Sequence, residues 1–99
     1  MNELNFKDLR TFSKSLNTLL SSVETTKVIA KTIPTRTVQM RGMYPNMDER
    51  KIAESMQTEL SDFCKGVRAD YESAAMWGRT CGILMPYGID EIIKYIKGN

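Results

Sequence analysis

The side chains able to do chemistry are few. There is no histidine in the ninety-nine residues, which removes the commonest general base and the commonest metal ligand near neutral pH. Cys64 and Cys81 stand seventeen positions apart. Neither has a His or a helix N-terminus beside it to make a reactive thiolate, and zinc asks for four ligands in close pairs. Glu54, Glu59 and Asp62 lie on one acidic stretch but do not repeat at the spacing of an inward-pointing metal cluster. Gly78 and Gly82 lack the strand and the Lys-Ser/Thr of a phosphate loop. The expectation is therefore no catalytic residue, no metal, no cofactor, and a chain that is not an enzyme.

Two binding surfaces remain as candidates. The first is basic. Between Glu24 and Asp48 no acid occurs, while Lys27, Lys31, Arg36 and Arg41 do, with Thr32, Thr35 and Thr37 among them. Cations and hydroxyls of this kind contact phosphates of nucleic acid or of a nucleotide. Four cations are few against the roughly 6–10 phosphate contacts of a duplex binder, although a dimer would double them. The bland reading, a connector kept soluble by its charges, carries more weight. The second surface is aromatic. Trp77, Tyr87 and Tyr95, with Arg79, Met76 and Met85, gather towards the C-terminus, and these residue types are enriched where protein interfaces are tightest. Closing a small core is an equally good use for Trp77.

A seven-residue apolar rhythm, run twice, supplies the elements that position these groups. Leu9, Phe12, Leu16, Leu19, Val23, Thr26, Ala30 and Ile33 make the first run. Ala53, Met56, Leu60, Phe63, Val67, Asp70, Ala74, Trp77, Cys81 and Leu84 make the second. Steps of three and four keep such residues on one side of a helix. Asn5, with Asp8 three positions on, predicts the start of the first helix, and Pro34 predicts its end. Residues 34–46, holding two prolines and a glycine, read as the connector. Asn46 is the expected cap of the second helix, and Gly78 the point near which it ends or bends. Asp90 to Lys97, closed by Gly98, reads as a short third helix with an isoleucine face.

Within the connector, Thr37-Val38-Gln39-Met40-Arg41 alternates polar and apolar, as a short strand would. Followed by Tyr44-Pro45 and a helix, it resembles the opening of a ribbon-helix-helix repressor. That resemblance implies that Thr37, Gln39 and Arg41 face DNA bases. The chain departs from the family after it: the heptad runs unbroken from Ala53 to Val67, where the family turns between two short helices.

Folding the hairpin about this connector pairs residues whose numbers add to roughly 80. Leu16 then faces Cys64, Val23 faces Met56, and the odd Asp70 lies near Arg10 as a device that fixes register. Trp77, Cys81 and Leu84 overrun the first helix, with the isoleucine helix as their cover or, failing that, a partner. Thr11, Thr18, Thr25 and Thr32 fall one heptad apart. Gly66, Ala74, Gly78 and Gly82 form a small-residue ridge. Both predict a second packing face and hence a homo-oligomer.

The fold class expected is all-α: one domain over residues 1–99, a long antiparallel helical hairpin of coiled-coil type plus a short C-terminal helix. A short strand or extended segment in 25–43 is the alternative for that stretch. Two unpaired thiols and no membrane-length apolar run point to the cytoplasm and away from the membrane. The function expected is a small interaction protein that binds, and inhibits or otherwise modulates, a larger macromolecular partner. Small accessory and inhibitor proteins of phages and mobile elements are the analogy. Nucleic-acid or nucleotide binding through 27–41 is the alternative.

Overall fold

The computed structural model describes residues 5–98. These form three helices: α1 (Phe6–Met43), α2 (Glu49–Thr80) and α3 (Ile89–Lys97). α1 and α2 are antiparallel and make a rod 65 × 21 × 15 Å. The all-α hairpin with a short third helix is the architecture the heptads predict. No described residue is in a strand.

α1 begins as expected: the Asn5 side chain accepts a hydrogen bond from the Lys7 amide at 2.9 Å. It does not end as expected. It runs through Pro34 to Met43, 38 residues in all, where Pro34 was to stop it. The connector is therefore 44–48, not 34–46, and Thr37–Arg41 is helix rather than strand. With the strand goes the likeness to a ribbon-helix-helix repressor. A proline inside a helix removes one N–H and crowds the carbonyl four residues back, at a cost of about 3 kcal/mol. Long-range packing offsets that cost. Ile52 and Met56 are buried on the stretch of α2 that lies alongside the α1 segment past Pro34. Arg36 pairs there with Glu59, and Arg41 with Glu49 at 3.1 Å. α2 starts at Asp48, whose side chain accepts from the Arg50 amide at 3.0 Å, and not at Asn46.

Moving the turn moves the register. Asp70 accepts a hydrogen bond from the Ser22 hydroxyl, about twelve positions along α1 from the expected Arg10. Val23 packs in one cluster with Cys64 and Val67, and Met56 lies outside it. The buried stripe of α2 also differs from the expected one: Ile52, Met56, Cys64, Val67, Ala74 and Gly78, with Leu60 and Tyr71 beside them. Phe63 is exposed and Asp70 only half-buried. The reason is α3. A third helix on one flank turns the buried face of α2 towards it, which draws in Cys64 and Tyr71 and leaves Phe63 behind.

α3 lies against the middle of the hairpin. Ile93 and Ile96 complete a core with Leu19, Val23, Val67 and Ala74. Outside that core, the Lys27 ammonium sits 3.6 Å from the Tyr95 ring centroid, and Arg68 reaches Asp90 at 3.5 Å. Gly98, in the left-handed region at φ 77°, ends the helix as predicted. The expected cover over Leu84 is absent, because α3 packs farther along the rod and α1 itself reaches the end of α2.

Candidate functional site

The end of the rod away from the turn is built around Gly78. The ring of Phe12 packs so close that a Cβ on Gly78 would lie 3.2 Å from it and 2.8 Å from the Ile83 carbonyl oxygen. Only glycine fits. Two residues later α2 stops in a Schellman turn. The Ile83 amide donates to the Gly78 carbonyl at 2.7 Å and the Gly82 amide to the Arg79 carbonyl at 3.1 Å. Gly82 takes the left-handed conformation, φ 72°, that this turn needs.

Phe6 precedes Phe12 by six residues, about 9 Å of helix, so the first turn of α1 overhangs the end of α2. Segment 81–88 leaves the end of α2 and runs back along it towards α3. The Tyr71 hydroxyl donates to the Tyr87 carbonyl at 3.0 Å and ties the segment to α2. The outcome is an apolar end facing solvent: Leu84 is 85% exposed, Phe6 77% and Tyr87 63%, with Ile83 and Met76 also exposed. Lys7, Arg10 and Arg79 are exposed around it.

Of the aromatic candidates, Trp77, Arg79 and Tyr87 belong to this end, Trp77 half-buried and the other two exposed. Tyr95 does not join them. It lies one helix away under Lys27. Phe6 and Ile83 belong to the end and escaped sequence reasoning, while Leu84, expected to need α3 or a partner as cover, is left open by α3. Phe6 falls outside the heptad, and Leu84 was assigned to it. The signal that was present is an apolar pair immediately after a turn glycine, Gly82-Ile83-Leu84.

The basic candidates are dispersed. Lys27 is held over Tyr95, and Arg36 and Arg41 are ion-paired to Glu59 and Glu49. The hydrogen bond that Arg36 donates to the Glu59 carboxylate holds the guanidinium above its ordinary pKa. Lys31 is exposed. Three of the four expected phosphate ligands are thus engaged within the chain.

Two clefts flank the hairpin. One of about 700 Å³, away from α3, is lined by Thr18, Ser21 and Thr25 of α1 and by Phe63 and Gly66 of α2. Several hydroxyls of this flank are spent on their own helix. Thr18 donates to the Lys14 carbonyl at 3.0 Å and Thr26 to that of Ser22 at 2.7 Å. What remains towards solvent is largely methyl. The other cleft, between α2 and α3, holds Lys65, Arg68 and Lys97. Those cations answer Asp62, Asp90 and the C-terminal carbonyls of α3.

Among the described residues, no three His, Cys, Asp or Glu side chains converge as a metal site would require. No helix of the described residues is long and apolar enough to cross a membrane. Comparison with protein-family models, with curated proteins and with solved structures finds no match to this chain.

Proposed function

We propose that the chain is a small non-enzymatic interaction protein that binds and modulates a larger macromolecular partner, using the end formed by Phe6, Arg79, Ile83, Leu84 and Tyr87. The observation that carries this reading is the exposure of Leu84, Phe6 and Tyr87 together at one end of the rod. Large apolar side chains scattered singly over a surface are ordinary; gathered at one end and ringed by polar groups they mark an interaction site. Phosphate binding through 27–41 has less support, since Lys27, Arg36 and Arg41 are already occupied. The methyl-lined flank at Thr18, Thr25 and Phe63 is a fitting surface for self-association. Free Cys64 and Cys81 agree with a reducing compartment such as the cytoplasm.

The test is site-specific photocrosslinking in cells that express the chain, with the crosslinker at Leu84 or, as control, at Glu54. One discrete adduct from position 84 and none from 54 is the expected outcome. Equal labelling from both positions, or none from 84, removes the reading. Light scattering on the eluted protein, with absorbance at 260 and 280 nm, reads oligomeric state and bound nucleic acid together.

A further inference from the structure

The charges around the apolar end say what kind of partner it suits. Residues 5–12 and 76–88 carry Lys7, Arg10 and Arg79 against one acid, the half-buried Asp8. Among the described residues none of these three cations makes an ion pair, and no acid other than Asp8 lies in either segment to offer one. The end therefore offers unspent positive charge beside unspent apolar area. Building on the interaction reading above, we infer that this end docks an acidic amphipathic segment of a partner protein. Its apolar side chains rest on Phe6, Ile83, Leu84 and Tyr87, and its Asp or Glu side chains meet Lys7, Arg10 and Arg79.

Arginine is the residue best shaped to hold a carboxylate with two parallel hydrogen bonds. Cations at a rim steer an acidic partner and repel a basic one. The backbone supplies a further reason. The amides of Leu84, Met85 and Tyr87 make no backbone–backbone hydrogen bond. A peptide carbonyl or carboxylate can accept from them. Lipid hydrocarbon cannot, so burial in a membrane would leave them without partners. Nucleic acid would find the cations but nothing to match Leu84 and Ile83.

The experiment is selection from a display library of random peptides about four helical turns long on the immobilised full chain. Three comparisons accompany it: the Leu84→Ser/Tyr87→Ser variant, the Lys7→Gln/Arg10→Gln/Arg79→Gln variant, and sedimentation with phosphatidylserine-containing vesicles. Circular dichroism melts establish that both variants fold. The expected pool is rich in Asp and Glu beside apolar residues at helical spacing. Its binding is about tenfold weaker to either variant and weakens in high salt. A pool of neutral or basic peptides that still fails on Leu84→Ser/Tyr87→Ser overturns the acidic partner and leaves the interaction reading standing. A pool indifferent to that variant, or no pool at all, overturns both. Vesicle binding without an acidic pool replaces the protein segment with an anionic membrane surface.

Discussion

The two ends of the rod treat their cations differently. At the turn end, cations meet carboxylates across the hairpin: Arg36 with Glu59 and Arg41 with Glu49. Ile52 and Met56 are buried there, while Val38, Met43 and Tyr44 are exposed. At the open end Lys7, Arg10 and Arg79 make no ion pair among the described residues, and Phe6, Leu84 and Tyr87 face water. Both ends thus expose large apolar side chains. They differ in that the turn end carries two ion pairs across the hairpin and the open end none among the described residues. A chain short enough to bury only a modest share of its surface can divide its length in this way. Satisfying every group at both ends would leave it nothing to offer a partner.

Substitutions can break or sharpen that contrast. The largest effect is expected from Ile52→Ala, which empties a fully buried site at the turn end and costs about 3 kcal/mol in urea unfolding. Pro34→Ala acts in the other direction. It restores an N–H in the middle of α1 and is expected to raise stability by about 2 kcal/mol, read as a higher urea midpoint at unchanged slope. Gly78→Ala presses a methyl into Phe12 and the Ile83 carbonyl and costs about 1–2 kcal/mol. Gly66→Ala, with open space at the same atom, gains about 1 kcal/mol of helix propensity. Equal melting shifts for the two glycines would end the claim that Phe12 packs at the open end. Leu84→Ser sits at the bottom of the series, within about 0.5 kcal/mol of the parent. A large loss there would mean that the open end is core, not surface.

The sequence made the helices legible but not their overlap. Periods of three and four told of two helices, and Gly98 marked the end of α3 because that signal is local. Pro34 misled for the same reason: its cost is local, and what offsets it is not. Ile52, Met56, Glu49 and Glu59 reach α1 only after the hairpin has closed. Taking Pro34 as a stop sets Arg10 opposite Asp70, where the folded chain has Ser22. The candidate site was half legible. Trp77, Arg79 and Tyr87 stood out by residue type. Phe6 and Ile83 did not, and Leu84 stood out only as a residue in need of cover, since exposure depends on where α3 comes to rest, and no pattern within α3 states that.

The Schellman turn at Gly82 has a consequence for association. A loop that must be ordered on binding loses conformational entropy at that moment, about 1–2 kcal/mol for each residue fixed. Here the Ile83 amide is already bonded to the Gly78 carbonyl, and the Tyr87 carbonyl to the Tyr71 hydroxyl. Leu84 is held between two anchored points before any partner arrives. That ordering is completed when the chain folds, so a partner meets a surface whose shape is set in advance, and a small contact area can suffice.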